Sequence, residues 1–186
     1  MSVDATTTPR WVDTDTALAE IVDQLADAPA FALDTEFHRE RTYFPHLALV
    51  QIAWEPDHLV LIDPLAVDLH PFAEVFNDGP TAVIHAASQD LEVLELAVGT
   101  IPDAVFDTQI AAAFTDGDLG PGYRALVAQY CDVELDKGET RSDWNRRPLS
   151  DSQKCYATLD VVYLETLHDA LAAKLQQQDR EGWFQA

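Results

Sequence analysis

The order of apolar and polar residues along the first third of the chain predicts one helix followed by three strands. Apolar residues at helical spacing predict a helix over Thr16–Ala28, with Thr14 or Asp15 as its N-cap. Continuous apolar runs then predict strands over Phe31–Phe37, Leu47–Trp54 and His58–Asp63. Because only a short polar break separates the last two runs, we expect them to form a hairpin.

The rest of the chain alternates short strands with helices. Strands are predicted over Thr81–Ala86 and Val105–Asp107. Helices are predicted over Pro71–Phe76, Gln89–Val98, Thr108–Phe114, Tyr123–Tyr130 and Ser150–Gln178. Alternation after a hairpin predicts an α/β fold whose mixed sheet has an antiparallel side and a parallel side.

Composition is typical of a single globular domain. The chain has 186 residues, 47% of them hydrophobic, which is enough for a substantial core. No run of about 18 apolar residues predicts a membrane span, and the polar segment 1–10 is expected to be a flexible tail rather than a signal peptide. The two cysteines, Cys131 and Cys155, have no metal-type spacing and are interpreted as thiols of a cytoplasmic protein.

The formal net charge of −22 argues against a general electrostatic affinity for nucleic acid. The distribution of the few cations changes this inference, because no Lys or Arg lies between Thr42 and Tyr123. Five cations then follow within one short stretch: Lys137, Arg141, Arg146, Arg147 and Lys154. They are either ordinary solvated charges or contacts for a phosphate backbone.

Asp34 and Glu36 are the most unusual residues of the predicted core. Side chains alternate across a strand, so these two carboxylates point to the same side of it. Two like charges on a buried strand repel each other and are costly to desolvate. A divalent metal ion is the simplest partner that would resolve this conflict.

Three further residues are candidates for the same site. Asp90 begins the helix after the fourth predicted strand, at the edge where parallel α/β sheets carry their functional loops. A helix acid that favours the macrodipole is the alternative explanation for Asp90. Tyr156 and Asp160 are four residues apart and share one face of a helix. Tyr156 could equally be an amphipathic core aromatic.

The ordered set of motifs resembles the four-acid 3′–5′ exonuclease superfamily in its tyrosine branch, and ribonuclease D in particular. The matching segments cover roughly residues 11–175: Leu33-Asp-Thr-Glu-Phe37, Arg41-Thr-Tyr-Phe-Pro45, Leu61-Ile-Asp-Pro-Leu65, His85-Ala-Ala-Ser-Gln-Asp-Leu-Glu92, Phe106-Asp-Thr-Gln109, Leu135-Asp-Lys137, Arg141-Ser-Asp-Trp144 and Arg147-Pro-Leu149. Each motif alone is weak, and their order carries the resemblance.

The resemblance implies a ribonuclease H-like fold with a five-stranded mixed sheet, and hydrolysis of phosphodiesters from RNA 3′ ends by two Mg²⁺ or Mn²⁺ ions. It implies that Asp34 bridges both ions, that Glu36 and Asp160 complete the first, and that Asp90 holds the second. Tyr156 would orient the attacking water, because a phenol with a pKa near 10 is a poor base at pH 7.

Substrate contacts are expected from Thr35, Phe37, His85, Arg141 and Trp144. Phe37, Tyr43 or Trp144 could stack on terminal bases. Packing against the following helix is the alternative for Trp144, and closing the strand is the alternative for His85. Asp107 is interpreted as the N-cap of the following helix rather than as a ligand.

The exonuclease domain is expected to span residues 11–180 as a monomer, without the C-terminal helical RNA-binding domain of larger ribonuclease D proteins. Gln89 occupies a position where ribonuclease D commonly has an acid. The expected substrate is an RNA 3′ end, as in tRNA processing, with single-stranded DNA as the alternative. A nuclease-like binding module and an acid pair for glycoside hydrolysis are two further hypotheses, and the second leaves Asp90, Tyr156 and Asp160 unexplained.

Overall fold

The computed structural model describes residues 8–39, 43–55, 58–117, 120–136, 138–139 and 142–184. The strands are β1 (Arg10–Val12), β2 (Ala30–His38), β3 (His46–Trp54), β4 (His58–Ile62), β5 (Thr81–Ile84) and β6 (Val105–Asp107). The helices are α1 (Asp15–Ala26), α2 (Ala73–Phe76), α3 (Ser88–Val98), α4 (Thr108–Asp116), α5 (Tyr123–Cys131), α6 (Asp151–Leu159), α7 (Leu164–Gln177) and α8 (Glu181–Phe184), and a 3₁₀ turn (His70–Phe72) precedes α2.

The six strands form one mixed sheet in the order β1-β4-β3-β2-β5-β6. Strands β2, β3 and β4 pair antiparallel, which confirms the predicted hairpin, whereas β5 pairs parallel with β2 and β6 pairs parallel with β5. The carboxyl ends of β2, β4, β5 and β6 therefore meet at one edge of the sheet. Asp34 and Glu36, in the second half of β2, and Asp90, which follows β5, lie near this edge.

Helices cover both faces of the sheet because its strands carry apolar side chains on both sides. One core cluster joins α1, α2 and α3 to Phe31, Leu33 and Ile52. A second joins α4, α5 and α7 to Ala32 and Val83 on the opposite face. The α/β class with a mixed sheet, expected from the alternating pattern, is confirmed.

Two expectations were wrong in detail. The sheet has six strands rather than five, because Arg10–Val12 pairs parallel with β4 at the sheet edge. Three residues are too few to give an alternating pattern, and their partner lies about 50 residues away. The single helix expected over Ser150–Gln178 is interrupted between Leu159 and Leu164, where backbone bonds change to i→i+3 spacing at Val161 and Leu164.

Local capping explains several element boundaries. Thr14 caps α1, as one of the two predicted alternatives, and Gly99 ends α3 in the left-handed conformation. Ser150 forms a complete capping box with Gln153, which fixes the start of α6. None of the helices within the described ranges is long and apolar enough to cross a membrane.

Candidate active site

Strand β2 carries the centre of the candidate site. Asp34 and Glu36 lie on the sheet face that also carries Ala32, and both are half-buried. Strand pairing with β3 is irregular between Glu36 and Phe37, which is the signature of a β-bulge. Bulges re-aim side chains beside functional sites, and this one immediately follows the second carboxylate.

The interruption between α6 and α7 brings a third carboxylate to this strand. Asp160 is the C-cap of α6, and its backbone N–H donates to the carbonyl of Tyr156 over 3.2 Å. Carboxylate oxygens of Asp34, Glu36 and Asp160 all lie within 4.8 Å of one another. These three residues, which we call the acid triad, have the spacing and the hard oxygen donors that a divalent cation requires.

The electrostatics of the acid triad are unfavourable without a cation. Burial, followed by repulsion from Asp90, Asp160 and Glu36, raises the pKa of Asp34 well above its ordinary value. Burial and the neighbouring acids raise the pKa of Glu36 to about 8. Burial also raises the pKa of Asp160 to about 7, although Arg124 and a hydrogen bond from Tyr156 oppose this. The folded site therefore favours protonated acids, or bound positive charge, at neutral pH.

Asp90 approaches β2 from the opposite sheet face. It lies in the first turn of α3, is 7% exposed, and accepts a 2.5 Å hydrogen bond from the hydroxyl of Thr35. Burial raises the pKa of Asp90, whereas the Thr35 hydroxyl lowers it. Thr35, which was expected to contact substrate, thus contacts Asp90. Asp90 lies outside the acid triad but close enough to raise the pKa values of Asp34 and Glu36.

Asp107 fixes the loop from which α3 begins. Its carboxylate caps α4, as predicted, by accepting from the backbone of Gln109 and Ile110. The same carboxylate accepts from the backbone N–H groups of Ala86 and Ala87 over 3.1 and 2.9 Å. Because Ala86 adopts a positive φ of 57°, these bonds stabilise a strained turn. They set the position of the helix that carries Asp90.

His85 belongs to the same edge of the sheet. Its Nδ1 lies 2.9 Å from the Thr108 hydroxyl, and its ring lies 5.6 Å from that of Tyr123. Burial lowers the pKa of His85, which favours a neutral imidazole. These contacts agree with the alternative that His85 closes the strand. A contact between His85 and substrate stays a prediction.

Tyr156 is held against the acid triad from two sides. Its hydroxyl forms the hydrogen bond that lowers the pKa of Asp160, and its ring lies 6.1 Å from that of Trp144. The backbone of Gly138 lies so close to the Tyr156 ring that a Cβ at this position would overlap it. The phenol is therefore positioned by packing, beside the cluster that it was expected to serve.

Three more residues were predicted to contact substrate: Trp144, Phe37 and Arg141. Trp144 is 5% exposed and packs in a cluster with Leu49, Leu61 and Ala157. This burial favours the packing alternative over a platform for bases. Phe37 is half-buried directly after the bulge, and Arg141 lies outside the described residues.

Three residues near the site were not found by the sequence analysis. Arg124, in the first turn of α5, is the cation whose charge acts on Asp160. Gln51 is fully buried in register with Asp34, and its amide atoms have no hydrogen-bond partner among the described residues. Gly138 supports Tyr156. None of the three has a local sequence signal: the predicted hairpin joins β3 to β4, whereas Gln51 faces Asp34 through the pairing of β2 with β3.

Comparison with known proteins gives the same family from sequence and from structure. A 3′–5′ exonuclease family model matches residues 9–176. The chain is similar to ribonuclease D of Xanthomonas oryzae, with 46% identity over 180 residues that cover 95% of this chain and 48% of the relative. The crystal structure of Escherichia coli RNase D matches with a TM-score of 0.90 and 39% identity, covering 95% of this chain and 47% of that one.

A further solved structure bears on the metal. Brucella melitensis NrnC with bound Mg²⁺ matches with a TM-score of 0.74 and 28% identity, covering 86% of this chain and 80% of that one. The resemblance to ribonuclease D drawn from the motifs is confirmed. The chain spans about half the length of the curated ribonucleases D that it matches.

Proposed function

Since the chain belongs to the 3′–5′ exonuclease family, we propose that it is a divalent-metal-dependent exoribonuclease that releases nucleoside 5′-monophosphates from RNA 3′ ends. The observation that carries this proposal is the acid triad. Its three carboxylates converge within 4.8 Å on the framework that this chain shares with Escherichia coli RNase D.

The chemistry of the acid triad fits a hard divalent cation. Burial raises the pKa values of Asp34, Glu36 and Asp160, and repulsion from neighbouring acids raises those of Asp34 and Glu36 further. A bound cation would remove both penalties. Oxygen-only donors suit Mg²⁺ or Mn²⁺ rather than softer metals. Asp34, Glu36 and Asp160 would hold one ion, and Asp34 with Asp90 would hold a second.

Bound ions would supply the positive charge that stabilises the attacking and leaving oxygens of an in-line displacement at phosphorus. The residues of the chain supply positioning. Tyr156 would orient the attacking water through its hydroxyl, and the hydrogen bond to Asp160 holds that hydroxyl beside the acid triad. Thr35 holds Asp90 in one orientation through its hydrogen bond, so that Asp90 does not need to reorganise during the reaction.

The strong negative charge of the chain limits where RNA can bind. With 33 acidic and 11 basic residues, most of the surface repels a phosphate backbone. Binding is therefore expected to be salt-sensitive and confined to the cleft around the bound ions. We propose RNA 3′ ends, including those of tRNA precursors, as substrates of a cytoplasmic monomer. The two-ion stoichiometry stays a prediction.

The test is cleavage of a 5′-labelled 12-nucleotide RNA with Mg²⁺ or Mn²⁺, with chromatography of the products. We expect stepwise shortening from the 3′ end and release of nucleoside 5′-monophosphates. Asp34→Asn and EDTA should each abolish the reaction, and activity that survives either would refute the metal mechanism. A matched DNA oligomer is the comparison, and a strong preference for it would replace RNA by single-stranded DNA as the substrate.

A further inference from the structure

A cavity of about 430 Å³ lies at the β1 edge of the sheet, apart from the acid triad. Trp11 of β1, Arg147 and Lys154 of α6 are among its lining residues. The guanidinium carbon of Arg147 lies 5.5 Å from the centre of the Trp11 ring, and the Lys154 ammonium lies 5.9 Å from it. The cavity therefore brings an aromatic face together with two of the few cations of the chain, and the carboxylates of Asp13 and Asp63 line it as well.

The two cations of the cavity differ in what they already bind. Arg147 is committed to the fold, because its Nε and Nη2 donate to the two Asp63 oxygens over 2.7 and 2.6 Å. Lys154 forms no ion pair within the part of the chain that the structure describes. Asp13 also lines the cavity. Arg147 neutralises Asp63 and Asp13 offsets the charge of Lys154, so the cavity carries no net charge. Lys154 is its unpaired cation, and Trp11 supplies an aromatic surface.

The strand register relates this cavity to the acid triad. Trp11 pairs with Leu61, Leu61 pairs with Gln51, and Gln51 pairs with Asp34, so these side chains form a row on one face of the sheet. Three strand spacings of ~4.8 Å separate Trp11 from Asp34 by about 14 Å. Because Leu61 and Gln51 between them are buried, an RNA strand has to pass around this row. At the ~3.4 Å rise of stacked nucleotides, it therefore needs at least about four nucleotides to join the two places.

Helix α6 lies between the acid triad and the cavity and contributes a side chain to each of them. Residues two positions apart on a helix project on nearly opposite sides. Tyr156 accordingly approaches Asp160, while Lys154 approaches Trp11. The beginning of α6 therefore has the acid triad on one side and the cavity on the other.

We propose that this cavity is a nucleotide-binding subsite for the single-stranded part of an RNA substrate, about four or more nucleotides from its reacting 3′ end. A base would stack on the Trp11 indole, and Lys154 would turn from the ring to the adjoining phosphate. Stacking on an aromatic side chain is tolerant of base identity, as an exonuclease that removes successive nucleotides requires. The inference rests on the proposed function for the position of the 3′ end.

The test measures binding of fluorescein-labelled RNA by anisotropy with Ca²⁺ in place of Mg²⁺ and Mn²⁺, so that the carboxylates carry a hard cation. Gel analysis of the same samples should show that the RNA stays intact, so that the result does not depend on cleavage. Trp11→Ala should weaken binding of a 12-mer by about 5- to 150-fold, the range found when a stacking aromatic is removed. Trp11→Leu keeps an apolar side chain for the fold and should show most of the same loss. Lys154→Gln should lower the slope of log Kd against log salt by about 0.7, as expected for one lost phosphate contact.

Two matched controls separate the subsite from general effects. Trp183→Ala removes an indole that is 71% exposed elsewhere, and Arg10→Gln removes the cation that precedes Trp11 and pairs with Glu20. Both should bind the 12-mer like the unmodified protein.

Unchanged 12-mer binding in both Trp11 variants and in Lys154→Gln would overturn the proposal. An equal loss for a trimer would also overturn it, because a trimer at the acid triad does not reach the cavity. Failure of the proposed function would appear separately, as absence of cleavage by the unmodified protein with Mn²⁺.

Discussion

Replacing Glu36 by Gln should stabilise the metal-free protein at alkaline pH while abolishing its activity. In the folded state the pKa of Glu36 is raised from 4.5 to about 8, first by burial and then by Asp160 and Asp90. An acid whose pKa is higher in the folded state binds more protons in the folded state than in the unfolded state. Its contribution to the free energy of unfolding is fully present below the unfolded pKa and is lost as the pH rises through the folded pKa. The penalty therefore develops between about pH 4.5 and pH 8, and Gln, which does not ionise, avoids it.

The magnitude follows from the pKa difference. A shift from 4.5 to about 8 corresponds to an upper bound of about 5 kcal/mol, at ~1.4 kcal/mol per pH unit. Glu36 is only half-buried, so solvent screening reduces this figure, and we expect about 2–3 kcal/mol. For a chain of 186 residues, this gain corresponds to a rise in Tm of roughly 5–10 °C.

The assay is thermal unfolding in EDTA at pH 5 and pH 9, followed by circular dichroism. Glu36→Gln should raise Tm at pH 9 and change it little at pH 5. Glu95 is an exposed residue of α3, and Glu95→Gln should leave Tm unchanged at both pH values. Saturating Mn²⁺ should narrow the difference at pH 9, since bound cations stabilise the unmodified site more. An equal Tm at pH 9, or an equal gain at pH 5, would refute the electrostatic reasoning.

Two further substitutions test the residues that hold the site in place. Thr35→Val removes the hydroxyl that donates to Asp90, and we expect a loss of roughly 10-fold or more in Mn²⁺ affinity, measured by titrating activity with metal. Gly138→Ala introduces a Cβ that overlaps the Tyr156 ring. We expect it to lower kcat while KM stays close to that of the unmodified protein. Gly122→Ala, where a Cβ meets open space, should retain the kinetics of the unmodified protein.

One defined result would contradict each of these two predictions. Unchanged metal affinity in Thr35→Val would mean that Asp90 keeps its orientation without the hydroxyl. If Gly138→Ala retained full kcat, then close packing of Gly138 would not position the Tyr156 ring. Far-ultraviolet circular dichroism of both variants should match that of the unmodified protein, which separates local effects from unfolding.

Local patterns of the sequence were sufficient to predict most helices and strands of this protein. Strand β2 and the placement of Asp34 and Glu36 on one face follow from the two-residue period of a strand, which is a property of backbone geometry. Tyr156 and Asp160 keep their helical spacing to the end of α6, so their shared face was also predictable.

Other features could not be read locally because they depend on partners distant in sequence. Strand β1 has three residues and is defined by its pairing with β4. The interruption after Leu159 lies in an apolar stretch that reads as continuous helix, since periodicity describes each turn and not the packing that bends the chain. The resemblance to ribonuclease D implied that the acids meet, whereas periodicity alone did not.

The sequence by itself determined which residues are candidates for the chemistry: carboxylates whose burial is costly, in an order typical of one exonuclease family. Only the tertiary structure decided how they are held. Asp160 reaches Asp34 from a helix more than 100 residues later, Thr35 holds Asp90 on the opposite face of the sheet, and Trp11 lies in one row with Asp34. The physical reason is that periodicity fixes the direction of a side chain, whereas contact between distant side chains depends on strand pairing and on packing against both faces of the sheet.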